Sequence, residues 1–201
     1  MRICTALLAF CFALGFRTAF GQNLPEIARQ HGGSANSMID IDAPISQPAD
    51  LMSQADLVVY GRLTDVTVRL NAAQTEVMTE YTIAPIQTFK QRIVDAVSVP
   101  GTASKIVVQR SGGILITPDG LRLSTTVNIF PESESFQVGE QVLLFLIYKA
   151  DTRSYIFASG EFGAYRIQNG MASLMTANAA KRRGDKPTPL ATLFTDIQRV
   201  R

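Results

Sequence analysis

The chain has 201 residues, with 19 basic and 17 acidic side chains, one histidine, two cysteines and no tryptophan. That length fits a single domain with flexible ends. The near-balanced charge argues against a nucleic-acid partner, which is met by a net basic face that displaces counterions from phosphates.

Met1 and Arg2 give a positive start, residues 3–16 are uncharged and mostly apolar, and Ala19 and Gly21 are small residues where a signal peptidase reads. A secretory signal peptide over residues 1–21 is expected, with Gln22 first in the mature chain. Arg17 stops the apolar run short of the ~20 residues that cross a bilayer. No stable membrane insertion is therefore expected after cleavage, and the protein is expected to be periplasmic or secreted. Both cysteines, Cys4 and Cys11, fall in the signal. The mature chain would then have no disulfide, thiolate metal site or cysteine nucleophile. Phe10, preceding Cys11, does not suit a lipoprotein anchor. Arg2 and Arg17 leave with the signal, which brings the 19 basic side chains to 17 and matches the 17 acids.

Residues 22–50 contain Gly32, Gly33, Pro44 and Pro48 and few large apolar side chains, so a flexible, extended leader is expected there. Pro48-Ala49-Asp50 could open a short turn of helix, and a β-barrel domain is expected over residues 51–176. Leu57, Val59 and Leu63 are apolar at odd positions, but Val66, Val68 and Leu70 at even ones. One extra residue near Thr64-Asp65, a bulge, would produce that change of phase and bend a long strand. Val77, Thr79, Tyr81 and Ile83 share a face of the next strand; Pro85 should break its ladder, with Ile86 and Phe89 resuming in the other phase.

Ile106-Val107-Val108 predicts a third strand ended by Gly112-Gly113. Thr117-Pro118-Asp119-Gly120 is a type I turn by composition, which predicts a hairpin between residues 114–116 and 121–123. Residues 142–148 are apolar on both sides, as expected of a central strand. Tyr155 and Phe157 alternate in its partner, Tyr165 and Ile167 in the next strand, and Asn169-Gly170 is the strongest hairpin signal in the chain. Residues 177–188 are small, polar and basic, and are expected to be a linker. After Pro189, the spacing of Leu190, Leu193, Phe194 and Ile197 places all four on one face of a docked C-terminal helix over the last part of 177–201. The fold class expected is mainly β, a small OB-like barrel or curled antiparallel sheet with one C-terminal helix, a sandwich being the alternative closure.

The sequence offers little catalytic equipment. His31 lies in the leader without a serine or acid pattern, so a serine triad lacks its base. Asp40 and Asp42 resemble the start of a calcium loop but lack its glycine and distant glutamate. Glu132, Glu134 and Glu140 crowd one loop and could form a glycosidic acid–base pair, though they flank Pro131 in what reads as an exposed turn. Gly112-Gly113 has no following lysine–serine pair, which favours close backbone approach over a phosphate loop. Lys181, Arg182, Arg183 and Lys186 form a basic run that could touch anionic lipid or polysaccharide but reads first as solvated linker. Catalytic, cofactor-binding and metal residues are therefore expected to be none.

Residues Ala55 to Gly61, the apolar strand ending near Lys90, Gly112-Gly113 and the run from Gly139 to Leu146 together resemble a pattern of uncharacterised exported bacterial proteins. These resemble the netrin-like and tissue-inhibitor-of-metalloproteinase modules, which are OB-type barrels. The resemblance covers about residues 51–175; Gln91 stands where the pattern has glycine, so residues 91–100 are expected to be an insertion. It implies a barrel and a binding habit. The inhibitors' amino-terminal cysteine has no counterpart here. The function expected is an exported binding module without catalytic activity, whose partner is a protein or another envelope or extracellular ligand. The alternatives are a protease-inhibitor-like module that uses a loop or the leader, and a carboxylate-based hydrolase.

Overall fold

The computed structural model describes residues 23–41, 43–92, 105–128 and 135–200. The expected signal peptide, Asp42, most of the expected insertion, and Glu132 with Glu134 lie outside them. The described chain runs α1 (Leu24–Gln30), β1 (Ser34–Ile39), α2 (Pro48–Gln54), β2 (Leu57–Leu70), β3 (Val77–Gln91), β4 (Ile106–Ser111), β5 (Gly113–Ile116) and β6 (Arg122–Val127). It continues through β7 (Gln141–Lys149), β8 (Ser154–Phe157), a 3-10 turn (Gly160–Gly163), β9 (Ala164–Gln168), β10 (Met171–Leu174), α3 (Ala177–Arg183), β11 (Thr188–Pro189) and α4 (Leu190–Arg199).

The fold is mainly β, and its larger sheet curls into a five-stranded ring, β2–β3–β4–β8–β7, that returns to β2. All pairings in the ring are antiparallel except β4 to β8, a single parallel bridge between Val108 and Tyr155. This is a curled sheet closed into a small, partly open barrel. β7 closes it: one edge pairs with β2, while the other serves β9 over Gln141 to Leu144 and β8 over Leu146 to Lys149. Val142 to Leu146 are all buried, because one set of alternating side chains faces the ring and the other is covered from outside. Inside, Tyr81, Phe136 and Phe157 pack with ring centroids 5.7 to 6.3 Å apart. Outside, Phe145 meets Tyr165 at 6.0 Å, and Phe194 of α4 meets Tyr60 at 5.5 Å and Phe89 at 4.6 Å.

The curl comes from extra residues. Leu63 pairs with Ile83 but Asp65 with Thr82, so Thr64 is the expected bulge in β2. β3 carries two more, at Ile86 and Phe89. The strand does not break at Pro85. It continues to Gln91, because β4 pairs only as far as Ile83 and Pro85 needs no donor on that side. Ile86 is correspondingly exposed and Phe89 turns to Phe194. Lys90 donates to the carbonyls of Met52 (2.5 Å) and Ser53 (3.4 Å), so β3 also caps the end of α2.

Both expected hairpins form. Gly120 N–H donates to the Thr117 carbonyl at 2.9 Å between β5 and β6. Between β9 and β10, Asn169 (φ 51°) and Gly170 (φ 73°) are both left-handed, as a two-residue primed turn requires. On α4, Leu193 and Ile197 are buried, with Leu190 and Phe194 packed beside them.

Two expectations are corrected. Residues 24–39 are not an extended leader: the Asn23 side chain accepts from Glu26 N–H at 2.9 Å to start α1, and β1 pairs in parallel with β6. Leu24, Ala28 and Ala35 form a second core with Leu121, Leu123 and Val77. Residues 177–188 are not a linker either. Thr176 caps α3 on Ala179 N–H at 3.0 Å and Gly184 (φ 76°) ends it, so the fold has four described helices instead of one. None of these helices is long and apolar enough to cross a membrane.

Tyr155 stands at the parallel bridge that closes the ring, 5.4 Å from the Tyr148 ring. Burial pushes its phenol up to about 12, with smaller contributions from Tyr148 and Asp56. An unfolded tyrosine ionises near pH 10, so this contribution to stability is complete below about 10 and is lost as pH climbs toward about 12. The denaturant midpoint should fall across that window, and fall less in Tyr155→Phe; an equal fall in both proteins would place the alkaline weakness elsewhere.

Candidate functional site

An open cleft of about 810 Å³ lies between β9–β10 and the arch made by α3, β11 and the start of α4. Its position follows from two tight reversals. The Asn169-Gly170 turn folds β10 back on β9, and Gly184 stops α3 so that β11 can return along β10, Leu190 N–H meeting the Gly170 carbonyl at 2.8 Å. Leu174, Met175 and Leu193 contribute apolar surface, and Arg183, Asp185 and Lys186 charge.

The adjacent arginines at the end of α3 work on different partners, because consecutive helical residues point about 100° apart. Arg182 pairs with Glu161 at 2.8 Å, donates to the Ala43 carbonyl at 3.1 Å and lies over the Phe162 ring at 5.3 Å. Glu161 is fully buried, and its other oxygen accepts from the Thr176 hydroxyl at 2.7 Å. Since Thr176 also caps α3, the buried carboxylate fixes where that helix begins.

Arg183, its side chain 2% exposed, donates to the Ser46 carbonyl (2.8 Å) and the Tyr165 hydroxyl (2.6 Å) and pairs with Asp185. Burial works against its charge, but Asp185 and Tyr165 outweigh that and hold the guanidinium above its ordinary value. Burial likewise raises the Tyr165 phenol, opposed by Arg183. Together the two arginines bind residues 43–46 to the barrel.

The other sequence candidates lie apart from this cleft. His31 is exposed at the C-terminal end of α1. Asp40 accepts from the Asn128 side chain. Glu140 pairs with Arg166 at 3.0 Å and accepts from Gln137 N–H at 3.0 Å, an arrangement that shapes the turn before β7. Among the described residues no group of three or more histidine, cysteine or acidic side chains could hold a metal ion. At Gly112-Gly113 the backbone packs closely: Thr79 donates to the Gly112 carbonyl at 2.6 Å, and a Cβ on Gly113 would lie 2.8 Å from that hydroxyl.

Of the basic run, Lys181 and Lys186 are solvated as expected, but the Arg183 side chain is buried and the guanidinium of the partly exposed Arg182 reaches in to Glu161. Glu161, Tyr165 and Thr176 carried no recognisable site signal. The caps were readable, Thr176 before a run rich in alanine and Gly184 after it.

Glu161→Ala should destabilise the protein by about 2–4 kcal/mol, since it strands Arg182 and loosens the cap of α3. Glu161→Gln, which can still accept from Thr176, should cost less. Chemical denaturation of both variants measures this, and equal costs would assign the effect to the lost charge instead of to the cap and packing.

No protein-family model matches the chain and no curated protein matches it, so the functional reading rests on the cleft itself.

Proposed function

We propose that the protein is an exported, non-enzymatic binding module and that the cleft beside β9 and β10 holds its ligand. The observation that carries this is the cleft's composition: apolar side chains, a deeply buried guanidinium and an exposed lysine on about 810 Å³ of open space. Such volume and mixed lining suit a small molecule or a short peptide segment. Of the two carboxylates lining it, Asp185 is already paired with Arg183, which favours holding a ligand over moving its protons, and Asp196 is exposed, 3.8 Å from Arg199. The reading as an exported protein rests on the charge and hydropathy of residues 1–21.

A protease-inhibitor-like role for residues 22–48 draws less support, because α1 and β1 are committed to the second core. A loop outside this segment would have to do that work. The resemblance to netrin-like modules contributes a binding habit to the proposal, not an activity.

Two measurements test it. The mature chain recovered from the envelope or medium should begin at Gln22, and a chain retained inside the cell with Met1 intact would overturn the export reading. A photo-crosslinking residue at Ser173, which lines the cleft, should give adducts in the native envelope that the same residue at exposed Thr67 does not. Identical adducts, or none, from both positions would remove the cleft as the binding site.

A further inference from the structure

We infer that the cleft takes a ligand carboxylate on the side edge of the Arg183 guanidinium, in place of Asp185. This rests on the reading of the cleft as the ligand site and names the chemistry it selects. Arg183 lines the cleft and uses its donors unevenly. Nη1 is given to the Ser46 carbonyl at 2.8 Å, and Nη2 to both the Tyr165 hydroxyl at 2.6 Å and Asp185. Nε is buried without a hydrogen-bond partner.

A guanidinium binds a carboxylate most strongly through two parallel N–H donors, and Nε with Nη2 forms one such edge. Asp185 occupies only the Nη2 half of it. It is two residues from Arg183 across the left-handed Gly184 (φ 76°), and its side chain remains 30% exposed. So short a tether does not place both carboxylate oxygens on the edge. A free carboxylate has no such tether and can satisfy Nε and Nη2 together, releasing Asp185 to solvent.

The rest of the lining describes the remainder of the ligand. Leu174, Met175 and Leu193 offer apolar contact beyond the charged end, and exposed Lys186 adds a second cation beside it. The fitting class is a carboxylate attached to an apolar body, either a small organic acid or an acidic side chain within an apolar peptide.

The test uses hexanoate against hexanamide, and acetyl-Leu-Glu-Leu-amide against its glutamine counterpart, on the full mature chain. The readout is the Arg183 Nε–H resonance, assigned by through-bond correlation to the Arg183 side chain and backbone. The acids, and not the amides, should shift that resonance, and Asp185→Asn should bind them about tenfold more tightly because the competing charge is gone. Whichever acid binds more tightly identifies the source as small molecule or peptide. Arg183→Lys should lose this binding while its thermal unfolding shows it folded; if it does not fold, Asp185→Asn alone decides. Equal response to acids and amides would overturn the carboxylate inference and leave the cleft as a binding site. Failure of both acids to move the resonance in Asp185→Asn would also overturn it, whereas the Ser173 crosslinks report on occupancy of the cleft independently.

Discussion

The backbone of β7 is buried, and every polar group along it has to find a partner. One edge is used by β2 from Gln141 to Leu146, with the Asp56 carboxylate taking the Tyr148 N–H beyond it; the other is divided, first to β9 and then to β8. That division decides the architecture. Where β8 takes over, the sheet closes through Tyr155 onto β4 and becomes a ring; where β9 pairs, the sheet continues outward through β10 and β11. The same strand therefore closes the barrel and supports the sheet extension that floors the cleft. From Val142 to Leu146 its side chains are apolar on both faces because neither face meets water there.

A second constraint is the length of the β2–β3 hairpin, which runs past the ring and needs cover for its far end. Val68, Leu70 and Val77 receive it from α1 and the β1–β6–β5 sheet. Hydroxyl groups join the sheets where no regular ladder continues: Thr125 accepts from Val77 N–H at 2.7 Å, and Thr79 donates to the Gly112 carbonyl at 2.6 Å. The two cores are thus coupled by buried polar contacts with well-defined partners, which fix one relative placement where apolar contact alone would tolerate several.

These long-range requirements explain what could be seen in the sequence. The Thr64 bulge, the Asn169-Gly170 turn, the central strand and the apolar face of α4 are each encoded within a few neighbouring residues, in phase, φ preference or helical spacing. β1 is different: Ser34 to Ile39 has little apolar content, and its strand state depends on β6, almost ninety residues later. α1 and α3 are seven residues each, too short to hold a helix without packing, so their composition resembles loop until a core is present. At Pro85 the local rule was sound, but it lacked the fact that β4 ends before that position.

The candidate site was hidden for a related reason. Lys181, Arg182, Arg183 and Lys186 look alike in composition, and only three-dimensional placement separates two solvated lysines from two inward arginines. A buried carboxylate such as Glu161 is tolerated because its oxygens meet Thr176 and Arg182, so its desolvation is offset within the same small network. Arg183 is a less complete solution, since its two terminal nitrogens face a carbonyl, a phenol and one tethered carboxylate, and Nε is left over. The neighbours therefore differ in one respect: both hold residues 43–46 to the barrel, but Arg183, at the cleft, retains one buried donor without a partner, which is the feature the proposed carboxylate site uses.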